Sequence, residues 1–251
     1  MERIRIGDTE LRVDASPAAS PNLLCLHGLV DTLEIWDRIA APLGERGRVV
    51  RYDQRGHGES SAPAGPYTRA DLAGDAIGVL DALGLERAVL VGHSMGGIVS
   101  MATALAHPDR VAGLVLIGTA SQCSEKVAAW YERIALAGET DGTAGLARVI
   151  YGDKSKKKIA GDGVGIAHVT RTLKSLFDDP LTAQLEQIAC PVLLLVGEKD
   201  PMGPRASEII AAKLADAELE VVAGCGHWVH VEQPDVTLRA FDGWMASRTL
   251  A

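Results

Sequence analysis

The sequence predicts an α/β fold, a mostly parallel sheet of about eight strands flanked by helices. Three observations predict it. Short apolar, β-branched runs recur along the chain. Between them lie longer stretches with apolar residues at helical spacing. Gly, Pro or Asp closes most of these segments.

Arg3–Ile6 and Leu11–Val13 read as two opening strands, with Gly7-Asp8 at the turn. After the Pro-rich loop Ser16–Pro21, Asn22–Leu26 reads as a buried strand ending at His27-Gly28. Leu33 to Glu45 carries Ile35, Trp36, Ile39 and Leu43 at helical spacing. Arg48–Tyr52 is a strand ending at Asp53, and Ala70–Leu83 a helix stopped by Gly84. Ala88–Val91 is the next strand, followed by an Ala-rich helix, Ile98 to His107, closed by Pro108. Val111–Ile117, Pro191–Val196 and Leu219–Val222 complete the strands, and helices follow over about Arg205–Leu214 and Pro234–Ser247. Ser121–Ile188 breaks the alternation. It has helical patterning in Lys126–Ala137 and Thr170–Phe177, around a Gly- and Lys-rich middle, Gly138 to Gly165. We read it as a helical insertion between two sheet strands, residues 121–188, within a core formed by 1–120 and 189–251.

Composition narrows the class. A chain of 251 residues can bury a sizeable core. Its apolar fraction of 47% and charged fraction of 23% are ordinary for a globular protein. A net charge of −8 argues against a nucleic-acid partner, and the basic run Lys154-Ser155-Lys156-Lys157-Lys158 reads as a solvated surface segment. No apolar stretch is long enough for a membrane span, and the N-terminal residues lack a signal-type apolar core, so a cytoplasmic location is expected. Cys25, Cys123, Cys190 and Cys225 are too scattered for a metal site or disulfide framework and are expected as free thiols.

Gly92-His93-Ser94-Met95-Gly96-Gly97 is the motif that carries chemistry. It lies between a strand and a helix, where a Gly-x-Ser-x-Gly turn exposes the serine hydroxyl on a strained backbone. Serine is a weak nucleophile and needs a general base, itself oriented by a carboxylate. In this turn architecture they follow in the order Ser, Asp or Glu, His. The loop after Pro191–Val196 reads Gly197-Glu198-Lys199-Asp200-Pro201, so Glu198 and Asp200 both qualify on position. His227 follows the last strand within Ala223-Gly224-Cys225-Gly226-His227-Trp228. Two main-chain N–H groups are candidates to hold a tetrahedral oxyanion: Met95, which opens the helix, and Leu29, after His27-Gly28.

Four segments together resemble the α/β-hydrolase superfamily over nearly the whole chain: His27-Gly28, Asp53–Ser60 as D-x-R-G-x-G-x-S, Gly92–Gly97, and Gly224–His227. The resemblance implies an α/β-hydrolase fold with Ser94 as nucleophile, His227 as base and Asp200, at the G-x-x-D position, as acid. It also makes 121–188 a short helical cap over the active site. Dehalogenases and epoxide hydrolases of this fold carry Asp where this chain has Ser94. No dinucleotide fingerprint or zinc-binding H-E-x-x-H spacing is present, so neither cofactor nor metal is expected. Asp53 and Arg55 read as members of a hydrogen-bonded turn. His93, Trp228 and Trp130 are candidates to line the substrate pocket; Trp228 could equally wedge its loop, and Trp36 and Trp130 could simply be packed.

The expected reaction is acyl transfer to water from a small-molecule ester or lactone, as in small bacterial carboxylesterases and 3-oxoadipate enol-lactonases, which the chain resembles. Cys225–Trp228 is similar to the histidine loop of C–C bond hydrolases acting on ring-fission diketones, the second expectation. A non-catalytic ligand-binding member of the fold is the third.

Overall fold

The computed structural model describes residues 1–248. Glu2–Ile6 (β1) and Thr9–Ala15 (β2) form an antiparallel hairpin turned at Gly7, whose φ of 59° suits glycine. Asn22–Leu26 (β3) is followed by a 3₁₀ turn, Leu33–Trp36, and by α1, Asp37–Gly44. The turn's first N–H, on Leu33, is taken up by Asp53 Oδ1 at 2.8 Å. Then come Arg48–Tyr52 (β4), Arg69–Ala82 (α2), Ala88–His93 (β5), Met95–Ala106 (α3) and Val111–Ile117 (β6). Glu125–Tyr151 (α4) and Gly163–Lys174 (α5) precede Val192–Gly197 (β7). Gly203–Ala211 (α6), Ala217–Val222 (β8), Val229–Glu232 (α7) and Pro234–Ala246 (α8) follow among the described residues.

The eight strands form one sheet in the order β1-β2-β4-β3-β5-β6-β7-β8. β1, β2 and β4 pair antiparallel and every other neighbouring pair is parallel. Successive strand side chains point to opposite faces, and each face has its own core. Leu24, Leu26, Leu90, Leu114 and Leu194 point to the side of α2 and α3. Leu23, Cys25, Val89, Val91, Val115 and Leu193 point to the other, against Trp36, Phe241 and Trp244. Burying an aromatic of that size contributes roughly 2–3 kcal/mol. This puts Trp36 in the core, fully buried and 4.5 Å from the His230 ring, rather than beside a substrate.

Two local expectations are corrected. The helical patterning expected over Lys126–Ala137 extends further, into the Gly- and Lys-rich middle: α4 runs to Tyr151, bending at Gly142, whose φ is 61°. Gly138 serves close packing, since a Cβ there would lie 2.6 Å from Gly163 O on α5. The helix expected over Thr170–Phe177 begins earlier, at Gly163, capped by Asp162, whose Oδ1 accepts from Gly165 N–H at 2.8 Å.

Candidate active site

The sheet converges on Ser94. Its N–H donates to Ile117 O of β6 at 2.8 Å, and its carbonyl accepts from Thr119 Oγ1–H at 2.7 Å. Held between β5 and α3, Ser94 has φ 51° and ψ −114°, a conformation that costs a non-glycine residue roughly 1–3 kcal/mol. The surrounding glycines are required by contact. A Cβ on Gly92 would lie 2.6 Å from Gly97 N, one on Gly97 would lie 2.7 Å from Thr119 Cβ, and one on Gly96 would overlap the Leu26 carbonyl.

The acid and histidine loops meet at the far ends of β7 and β8. Asp200 Oδ2 lies 2.8 Å from His227 Nδ1, and Asp200 Oδ1 accepts from Met202 N–H at 2.8 Å. Burial raises the Asp200 carboxyl, but the His227 hydrogen bond, the His227 charge and Met202 N–H more than offset it and hold it below its usual value. Gly118, at φ 54°, backs the pair; a Cβ there would sit 2.9 Å from Asp200 Oδ2 and 3.1 Å from His227 Nδ1. Glu198 faces elsewhere, its Oε2 accepting from Gly224 N–H at 2.8 Å.

Met95 opens α3, so its N–H belongs to the first helical turn, which lacks intrahelical acceptors. Leu29 N–H donates to no acceptor among the described residues. The loop carrying Leu29 is held from below by His27. Its Nε2 accepts from Gln54 N–H at 2.9 Å, which leaves the ring proton on Nδ1 to donate to Gly28 O at 2.8 Å. Next to Leu29, Val30 is held at φ 62°, an outlier for a β-branched residue.

His93 is buried against three rings, those of His227 at 4.7 Å, His230 at 4.7 Å and Trp228 at 6.2 Å. Its Nε2–H donates to His227 O at 3.2 Å, so it braces the histidine loop. Trp228 lies edge-on to His227 at 5.1 Å, with its indole N–H 3.5 Å from Asp31 Oδ2. Asp31, unsuspected from the sequence, also faces His93 Nδ1 at 3.6 Å. Burial raises the Asp31 carboxyl, yet His93, His27 and Trp228 together bring it below its ordinary value. Trp130 packs on Tyr131 at 5.4 Å, in the cluster of Ile134, Leu146, Ile159 and Ile166 that also touches Leu29 and Val30. Lys157 reaches back over the Trp228 ring at 5.9 Å, so the helical segment after β6 abuts the histidine loop.

Asp53 and Arg55 are bound into the scaffold. Asp53 accepts from Leu33 N–H and Glu59 N–H, and Arg55 grips Asp75 through Nε at 2.6 Å and Nη2 at 2.7 Å. A cavity of about 570 Å³ between α2, α3 and α5, lined by Tyr67, Arg69, His107 and Arg171 among others, does not include Ser94. Among the described residues no group of three or more His, Cys, Asp or Glu side chains is placed to hold a metal ion, and no helix is long and apolar enough to cross a membrane. The described cysteines are all free.

The chain is similar to several characterised proteins along most of its length. It is 29% identical to the 3-oxoadipate enol-lactonase 2 of Acinetobacter baylyi over 91% of this chain and 90% of that one. It is 30% identical to the 2-hydroxymuconate semialdehyde hydrolase of Pseudomonas putida, over 79% and 77%. A thermophilic esterase from Thermogutta terrifontis superposes with a TM-score of 0.88 at 25% identity, over 98% and 99%. Residues 23–240 match the group described as the Alpha/beta hydrolase family. With the eight-stranded sheet and the strand-to-helix turn at Ser94, that match identifies the chain as a member of the Alpha/beta hydrolase family.

Proposed function

We propose that this chain is a serine hydrolase that cleaves a small carboxylic ester or lactone through an acyl-enzyme on Ser94. The observation that carries the proposal is the 2.8 Å pairing of Asp200 with His227 beside the strained turn at Ser94. Ser94 Oγ attacks the carbonyl carbon while its proton passes to His227 Nε2. The resulting oxyanion is received by the N–H groups of Leu29 and Met95, each worth roughly 3–4 kcal/mol of barrier. The carbon–oxygen bond breaks, and His227 returns the proton to the leaving alkoxide. Water then attacks the acyl carbon, gives its proton to His227, and releases the acid as Ser94 is reprotonated. In a lactone the alcohol and acid leave as one hydroxy acid. Asp200 stays ionised throughout, holding the proton on Nδ1 so that Nε2 is free to act as base.

Residues 121–188 act as a cap in this reading, with 1–120 and 189–251 as the catalytic core. Supporting it, Lys157 lies over Trp228, and the cluster of Ile134 and Ile166 touches Leu29. Trp228 and Trp130 line the approach to Ser94, and His93 backs it. Relatives named as a lactonase and an esterase favour the acyl-transfer assignment. A second reading, hydrolysis of a C–C bond in a ring-fission diketone, is favoured by the relative named 2-hydroxymuconate semialdehyde hydrolase.

Turnover of p-nitrophenyl acetate, a series of lactones and a vinylogous diketone separates these readings, with Ser94→Ala as control. Esters or lactones should be turned over fastest, and Ser94→Ala should be inactive on all. A large preference for the diketone would replace the ester assignment with the C–C one. Absence of turnover on every substrate, unchanged by Ser94→Ala, would leave a non-catalytic binding protein.

A further inference from the structure

His227 is fixed from more sides than its ring. Asp200 holds the imidazole and His93 holds the carbonyl. The N–H groups on either side of His227 both end on one side chain. Gly226 N–H donates to Glu232 Oε2 at 2.8 Å, and Trp228 N–H donates to Glu232 Oε1 at 3.2 Å. Cys225 Sγ lies 3.7 Å from the same carboxylate. Glu232 is placed to do this by α7, a single turn in which the N–H groups of Val231 and Glu232 both fold back onto Trp228 O, at 2.9 and 2.8 Å. Gly226 leaves room for it, since a Cβ there would lie 2.9 Å from Oε1. Charge-assisted bonds from main-chain N–H to carboxylate are the strong kind, and two oxygens fix a direction as well as a distance.

We propose that Glu232 is a positioning residue for the reaction: its carboxylate clamps the backbone on both sides of His227 and so sets where Nε2 points. The proposal rests on the assignment of His227 as the base. It differs from a helix-capping role, which would affect stability alone. The Asp200 bond leaves the ring free to swing with its backbone, so the second constraint has to come from the main chain. Glu232 supplies it from α7, after the last strand of the sheet, on a side chain exposed to solvent.

The test is a pair of backgrounds. Glu232→Gln keeps the size but turns an N–H donor toward one of the two main-chain donors, and Glu232→Asp keeps the charge but is too short to span both. On the wild-type background Glu232→Gln should lower kcat by roughly tenfold to a hundredfold, as small misplacements of a reacting group do, with KM for p-nitrophenyl acetate unchanged. Glu232→Asp should fall between it and wild type. On a His227→Ala background, Glu232→Gln should cause no further loss, because its effect runs only through His227. An unchanged kcat in Glu232→Gln would overturn the clamp, as would an equal loss on both backgrounds. If His227→Ala itself turned over like wild type, the base assignment would fall and the clamp with it.

Discussion

Replacing Asp200 by Asn should cost far more activity than the loss of one hydrogen bond. The reason lies in what holds the other oxygen. Asp200 Oδ1 accepts from Met202 N–H at 2.8 Å, and Oδ2 faces His227 Nδ1 at 2.8 Å. In Asp200→Asn the amide oxygen keeps the Met202 donor, because a main-chain N–H cannot accept. The amide NH₂ therefore occupies the Oδ2 position. The bond from Met202 N–H fixes which end of the amide faces His227. The NH₂ then donates to Nδ1 and moves the ring proton to Nε2, which becomes a donor where the proposed mechanism needs a base. The wrong tautomer in a triad of this kind costs about 10⁴-fold in kcat, or about 5 kcal/mol of barrier. Stability should hardly change, since the two side chains are isosteric and both hydrogen bonds are kept. The assay is kcat on the best ester or lactone beside a thermal melt. A fall of less than tenfold in a folded Asp200→Asn would refute the reasoning. So would a larger loss in Glu198→Gln, whose Oε2 holds only Gly224 N–H.

Three further outcomes follow from the packing. His27, His57, His93 and His230 are buried, and burial pushes each below its ordinary 6.5, His57 to about 3. Unfolding lets them take up protons, so their contribution is intact above about pH 6.5 and is lost as pH falls toward the folded values, at up to about 1.4 kcal/mol per pH unit per histidine; urea unfolding between pH 8 and 5 should show this slope, and flat stability would contradict it. Arg55→Ala strands the buried Asp75 carboxylate and should destabilise by about 3–5 kcal/mol while kcat survives; loss of kcat with an unchanged Tm would instead place Arg55 in the chemistry. Gly118→Ala forces a side chain onto the Asp200–His227 pair at a φ of 54° and should lower kcat by roughly a hundredfold, whereas wild-type kcat would mean that the pair tolerates displacement.

The parts of the site with a side-chain signature were legible in the sequence, and the parts made by main chain were not. The turn at Ser94 could be read because a strand, a helix and glycines needed for close approach surround it within a few residues. Asp200 and Glu198 were equivalent by position alone. Their different partners, His227 Nδ1 and Gly224 N–H, depend on how two loops meet in space. Glu232 left no trace because its partners are backbone N–H groups and its helix, Val229–Glu232, is too short to show a period. Asp31 sits near the site only because the loop after β3 folds back against His93 and Trp228. The extent of α4 was misjudged for a physical reason. Gly138, Gly142 and Gly145 look like helix breakers, yet Gly138 provides close approach to α5, and only Gly142 leaves helical geometry. The central strands β3, β5, β6 and β7 were found as compact apolar runs, whereas β1 and β2 showed only an alternating pattern and β8 was the weakest. β8, at the sheet edge, has exposed Glu218 and Glu220, and its apolar pattern marked only its last four residues.

The central claim is that Ser94 is made nucleophilic by His227 and Asp200. Labelling with a fluorophosphonate tests it most directly, because the reagent needs an activated serine but no particular acyl group. Attack by Ser94 Oγ on phosphorus expels fluoride and leaves a stable phosphonylated serine. Peptide mass spectrometry should place one adduct per chain on Ser94, lost in Ser94→Ala and strongly slowed in His227→Ala and Asp200→Asn. No adduct, an adduct on another residue, or equal labelling rates in the wild type and His227→Ala would contradict the account.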